Sequence, residues 1–391
     1  MISNLSKRAF STVKLGRDTN QALDLGKYAI DFLKSGKPSP KVIERVKLFH
    51  TDSVICGVSA LALKTNAPTV LRDEALEYSR ESKSNRAKPG YARVFGSLNN
   101  CFVEKAIAAN ASAVREWDSN GTVFGYNDKV PGHQAGEFGH NDFYPVIIAA
   151  CHQNSKINGA KAAKAMVLVD EIRGRLAEVF SLKTYKIDHV VHGAIASAAT
   201  YGALMGATAE QIEHAIGMFV AHYIPFRAIR AGKQLSDSKG ASAAISTEAA
   251  ILCMKRAMRG FIGPKDIFRN PEAIFRLNEP TKGDSPFDIV LSKEGDDFAV
   301  MGMHFKLGLY EHQSAGAIEA ILNLIHKNNF LQQGKHDNID KIKIVAYEPA
   351  FGIIGDPAKK NPKTRQSADH SMVYISNYPF FLTKLTVFFL T

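Results

Sequence analysis

Eight side chains have the type and setting to move protons or hold anions: Asp118, Thr122, His140, His189, Lys239, Lys306, His312 and Tyr374. Asp118 and Thr122 follow Arg115-Glu116-Trp117, within a stretch from Ser112 to Pro145 that Gly121, Gly125, Pro131, Gly132, Gly136 and Gly139 break up. Such breakers predict a long irregular loop, and long loops inside compact domains usually serve function. Asp118 can orient a histidine or bind a hydroxyl, although a lone Asp is more often a cap. His140 directly follows Gly139, a setting from which a side chain reaches a ligand, and by itself it reads equally as a surface histidine. His189 and His192, three residues apart, share a face on a helix. With no third metal ligand evident, a hydrogen-bonding or core role is the better reading of that pair. Lys239 stands at the mouth of an Ala-rich helix and can hold a carboxylate. Lys306 and His312, in HFKLGLYEHQSAG, can meet an acidic substrate, and Tyr374 can donate a proton. Each of these has an ordinary solvated or packed alternative.

These residues are carried by a chain that reads as mainly helical from Thr19 to Arg269. The run Gly193–Gly206 is rich in small residues, which predicts a closely packed buried helix, and Gly240–Met258 predicts another. The texture changes after Pro271. Phe287–Leu291 and Phe298–Met301 read as short strands, Ala315–His326 as a helix, and Ile339–Tyr347 alternates as a half-buried strand does. An α+β domain is therefore expected from about residue 280. The first 17 residues carry Lys7, Arg8, Lys14 and Arg17, contain no acid, and place Ile2, Leu5, Phe10 and Val13 where one helical face can collect them. That is the composition of a mitochondrial targeting segment, with Arg8-Ala9-Phe10-Ser11 as a processing signal that places cleavage after Phe10. The division expected is a leader over 1–18, a helical domain over 19–279 and an α+β domain over 280–391.

The chain has 391 residues and a net charge of +11. Its positive charges are scattered, without an Arg-rich block or an aromatic-studded basic run, which argues against a nucleic-acid partner. No apolar run approaches the roughly 20 residues needed to cross a bilayer. The four cysteines form neither a CxxC nor a Cys/His metal spacing and read as free thiols of a reducing compartment. No Walker A, GxSxG, GxGxxG or HExxH motif is present.

Six segments in order carry a resemblance: REWDSNGT at 115–122, GHNDFYPVIIAA at 139–150, SKGASAA at 238–244, GFIGP at 260–264, HFKLGLYEHQSAGAIEA at 304–320 and ADHSMVYI at 368–375. Together they resemble the MmgE/PrpD family over residues 20–375. The resemblance implies a mainly α fold, with a large all-helical domain and a smaller α+β lid, usually as a homodimer. It implies a cofactor-free and metal-free lyase acting on a small tricarboxylate, with no membrane partner. Asp118, His140, His189, Lys239 and Tyr374 would be catalytic, and Thr122, Lys306 and His312 would bind substrate. Within the family the REWD and GHND segments are more similar to the dehydratases, which points to loss of water from 2-methylcitrate in propionate breakdown. A cis-aconitate decarboxylase or an inactive member remains an alternative. Family members continue past the Tyr374 segment, whereas this chain ends in the apolar SNYPFFLTKLTVFFLT. A truncated lid is therefore expected, with poor solubility and little activity.

Overall fold

The computed structural model describes residues 11–80, 89–121, 127–129, 141–229, 234–306, 308–328 and 339–376. It is mainly helical, with small sheets only. The chain divides into two compact units: a larger one of residues 1–116, 120–227 and 241–305, and a smaller one of 117–119, 228–240 and 306–391.

The larger unit is built on helices whose starts are written in the sequence. Helix α1 (Gln21–Ser35) begins at Asn20, whose side chain accepts from the Leu23 N–H, which satisfies one of the donors a helix start leaves open. It buries Ala22, Leu25, Tyr28, Ala29, Phe32 and Leu33, the stripe that a period of 3.6 produces. Helix α2 (Pro40–Ala62) starts from a Ser39 cap with proline in its first turn. Helices α3 (Asn66–Glu77), α4 (Val103–Arg115), α5 (Tyr144–Gln153) and α6 (Gly159–Val179) follow. Helix α7 (Val190–Met205) is the buried small-residue helix expected, and Gly206 ends it in the left-handed conformation, φ +86°. Helix α8 (Ala209–His222) opens on a capping box of Thr208 and Gln211.

Helix α6 carries several of the unit's buried charges. Glu171 is fully buried and accepts from the backbone N–H of Ser292 and of Ala299, each at 2.7 Å, and pairs with Arg175. It thereby ties strand Ile289–Ser292 to the bundle. That strand pairs antiparallel with Thr12–Leu15, and Lys14 and Arg17 both meet Asp288. Residues 12–18 are thus part of the fold, which corrects a leader drawn as far as residue 18. A processing point after Phe10 leaves this strand whole.

Three further expectations change. Phe298–Met301 is not a strand: Ala299–Gly302 forms a 3-10 turn, held by Glu171 at the Ala299 N–H. The strands and turns of 280–305 count with the larger unit, and the smaller unit's main stretch begins at Lys306. Ile339–Tyr347 has no regular structure despite its alternation. Among the described residues no strand lies beside it, and a strand without a partner leaves its backbone groups unpaired. The described part of the smaller unit carries the helix Ala315–Lys327 and the short helices Glu348–Ile354 and Arg365–Ala368.

The GFIGP turn has a packing reason. A Cβ on Gly217 of α8 would lie 1.9 Å from the Pro264 carbonyl oxygen, and one on Gly263 would lie 2.3 Å from the His214 carbonyl oxygen. Only paired glycines allow helix and turn to approach this closely. Gly159 has open space around its missing Cβ. Gly217→Ala should therefore lower stability by about 1–3 kcal/mol or more, as overpacking does. Gly159→Ala should leave it unchanged or slightly raised. Urea unfolding of both variants checks this.

Candidate active site

Three separate stretches of chain bring their charged groups together within the smaller unit. The Asp118 carboxylate is the meeting point. Its Oδ2 lies 3.3 Å from Lys239 Nζ, 3.4 Å from Lys306 Nζ and 3.4 Å from His370 Nε2. All four side chains are at least nine-tenths buried. Lys306 Nζ also donates to the backbone oxygen of Asp118. Asp118 sits at φ +51°, a left-handed conformation that Asp tolerates better than most residues.

Local hydrogen bonds explain how these stretches are held. Helix α9 (Asp237–Met258) carries Lys239 in its first turn. Just before it, the Leu235 N–H donates to Ser367 Oγ at 2.8 Å, and Thr364 Oγ1 donates to the Leu235 carbonyl at 2.7 Å. Gln366 Nε2 donates to Asp237 Oδ1 at 2.6 Å. Thr364 also caps the short helix Arg365–Ala368 through the Ser367 N–H. The start of α9 is thus pinned against residues 364–367, which places His370 beside Lys239. Arg365 pairs with Asp369 Oδ2 at 2.8 Å and lies over the ring of Trp117, 5.6 Å from its centroid.

His370 is oriented by its neighbour in the chain. Its Nδ1 hydrogen-bonds Asp369 Oδ1. An ionised carboxylate only accepts, so Nδ1 carries the hydrogen and Nε2 is the acceptor face. Burial, helped by the charge of Lys239, holds the imidazole pKa below its ordinary value, against the opposing pull of Asp369 and Asp118. A neutral imidazole beside two ammonium groups can take up a proton and then be discharged again. The two lysines can neutralise carboxylates.

His312 belongs to the same unit. Its Nδ1 lies 2.8 Å from Glu311 Oε1, and the Glu311 N–H donates to the Asp369 carbonyl at 2.9 Å. Tyr374 is half exposed, and its backbone N–H donates to Ser371 Oγ. His189 is buried in the larger unit, where its Nδ1 lies 3.7 Å from Asp188 Oδ1 at the start of α7. His192 Nε2 bonds the Phe180 carbonyl at 3.0 Å, a core role as read from the sequence. Thr122 and His140 lie outside the described residues. Among the described residues no group of three or more His, Cys, Asp or Glu side chains is arranged to hold a metal ion.

The structure thus joins Asp118, Lys239 and Lys306 and adds His370, which sequence reasoning passed over in favour of Tyr374. A signal was present. His312 and His370 each directly follow an acid, Glu311 and Asp369, and an acid beside a histidine can fix its tautomer.

The model of the MmgE/PrpD N-terminal domain matches residues 24–283, which is 260 of the 391 residues. The chain belongs to the MmgE/PrpD family. Asp118 and Lys239 lie inside the matched region, and Lys306, Glu311, His312, Asp369 and His370 lie beyond it. Members of this family are generally hydro-lyases, so membership supports a dehydratase-type activity in general.

The shared carboxylate makes the two sides of the cluster unequal. Asp118→Asn leaves Lys239 and Lys306 buried without their common counter-charge, whereas Lys239→Met leaves Asp118 still paired with Lys306. Removing one partner of a buried ion pair typically costs about 3–5 kcal/mol. Asp118→Asn should approach that range and exceed Lys239→Met clearly, as read from denaturant unfolding at neutral pH.

Proposed function

We propose that this MmgE/PrpD member is a 2-methylcitrate dehydratase, which removes water to give 2-methyl-cis-aconitate. Family membership supports the reaction type. The observation that carries the reading further is the convergence of two buried ammonium groups and a neutral imidazole on one carboxylate. Elimination of water takes a proton from the methyl-bearing carbon next to a carboxylate. The C–H electron pair becomes the new double bond, and hydroxide leaves the neighbouring carbon and is protonated to water. Such a reaction needs cations for the carboxylates and for the enolate-like charge, and a base that is neutral at working pH. Lys239 and Lys306 serve the first need. His370 serves the second, oriented by Asp369, and Asp118 holds the two lysines beside it. Thr122, His140, His189, His312 and Tyr374 remain candidates by the family resemblance. No metal or cofactor enters this reading.

The basic, acid-free N-terminus supports action in the mitochondrial matrix. The family resemblance supports a homodimer.

The test is absorbance of the new conjugated double bond when the purified full chain meets 2-methylcitrate. We expect product formation, low in rate, that EDTA does not reduce. Release of carbon dioxide from cis-aconitate, with no dehydration, would assign the decarboxylase instead. Lys239→Met should lower kcat/KM by at least about a hundredfold, as loss of a charge stabiliser typically does, and near-normal turnover would remove Lys239 from the site.

The pH dependence follows from His370. Its folded-state pKa lies below the ordinary histidine value of 6.5, so the neutral base persists through neutral pH and is lost only as pH falls below that value. kcat/KM should therefore stay flat from pH 8 down to about 6.5 and decline on the acid side. Folding stability shares the sign: the unfolded chain binds this proton first, so the His370 contribution is present above about pH 6.5 and is lost as pH falls towards the folded value.

A further inference from the structure

Glu311 has the burial and contacts of a residue with a defined task, yet it lies outside the Asp118 cluster. It is 7% exposed, and each of its oxygens has a separate donor. Oε1 faces His312 Nδ1 at 2.8 Å, and Oε2 accepts from the Gln313 N–H at 2.7 Å, which caps the turn His312–Ser314. Burial alone would raise the Glu311 pKa. The bond from His312, first among the opposing interactions, helps to outweigh it and hold the carboxyl below its ordinary value. An ionised Glu311 can only accept, so the hydrogen between the two side chains belongs to Nδ1. His312 is about a quarter exposed. It lines a groove of about 390 Å³ with Ala317, Ile321, Ile344 and Met372. Its imidazole is thus anchored at one nitrogen by a buried carboxylate.

We propose that Glu311 is a positioning residue that fixes His312 as its Nδ1–H tautomer, so that Nε2 is the acceptor His312 offers to the substrate's hydroxyl or carbon-bound proton. The claim rests on His312 serving the dehydration proposed above. The arrangement repeats the Asp369–His370 pair, and the two acids are joined through the Glu311 N–H and the Asp369 carbonyl. The smaller unit therefore holds two histidines, each set by the acid that precedes it.

Glu311→Gln separates this role from a merely structural one. An amide has one acceptor oxygen where the carboxylate has two. The buried Gln313 N–H needs an acceptor, so the amide oxygen stays with it and the amide NH₂ turns to His312. An NH₂ donor requires Nδ1 to accept, which drives the ring to the Nε2–H tautomer. Glu311→Asp keeps two acceptor oxygens.

The experiment is ¹⁵N-histidine NMR of the full chain above about pH 8, where histidines are neutral, with the His312 signal assigned by its loss in His312→Gln. We expect Nδ1–H in the wild type and in Glu311→Asp, and Nε2–H in Glu311→Gln. Turnover of 2-methylcitrate by Glu311→Gln should fall roughly tenfold to a hundredfold in kcat, with a smaller change in KM and partial recovery in Glu311→Asp. An Nε2–H wild type, an unchanged tautomer in Glu311→Gln, or a switched tautomer with unchanged kcat would each overturn the proposal. The wild-type spectrum decides even if Glu311→Gln fails to fold. The spectra need no turnover, so a wild type that leaves 2-methylcitrate untouched would sink the proposed function and leave the tautomer claim to the NMR.

Discussion

A carboxylate taken out of water is stable only where cations or donors replace the water it lost. Asp118 meets that condition with Lys239 and Lys306, beside His370, and much of the smaller unit is arranged so that these groups reach it. The cap at Thr364, the anchoring of Leu235 and the bond from Gln366 to Asp237 are the means by which segments distant in sequence meet at one oxygen. The same condition explains why two buried lysines are tolerated. Each ammonium is compensated by Asp118, and an anionic substrate is the kind of molecule that can share or replace that compensation.

The larger unit solves a similar problem differently. Arg173 is fully buried in its core and lies over the ring of Phe143, 4.7 Å from the centroid, while Tyr144 donates to Asp170 at 2.7 Å. Burial pushes the Asp170 carboxyl up to about 8, so near neutral pH it is largely protonated. Arg115, Asn120, Asn141 and Asp142 form a buried network that joins the end of α4 to residues 141–142. These groups hold backbone in place. The Asp118 cluster instead gathers charged side chains from three separate stretches of chain.

Much of this was legible in the sequence. The small residues of α7 and the Ala-rich run of α9 each led to the helix observed. Asp118, Lys239 and Lys306 were legible because each stands where the helical pattern breaks or a helix begins. His370 was not singled out, since the acid that precedes it is a local signal it shares with His189 and His312. Its importance comes from Arg365, Asp369 and the docking of residues 364–367 on 235–237, contacts between segments far apart in the chain. The strand expected at Ile339–Tyr347 failed for the same kind of reason. Alternation records which side chains can face a core, whereas a strand also needs a neighbour for its backbone.

We propose that the Asp118 cluster binds a polycarboxylate. Trp117 is the sole tryptophan, adjoins Asp118 in the chain and packs beneath Arg365, so its fluorescence reports on this site directly. Titration of the full chain with 2-methylcitrate should give a saturable change in Trp117 emission, and Lys306→Met should weaken or abolish it. A wild-type emission that stays flat up to millimolar 2-methylcitrate would contradict the account.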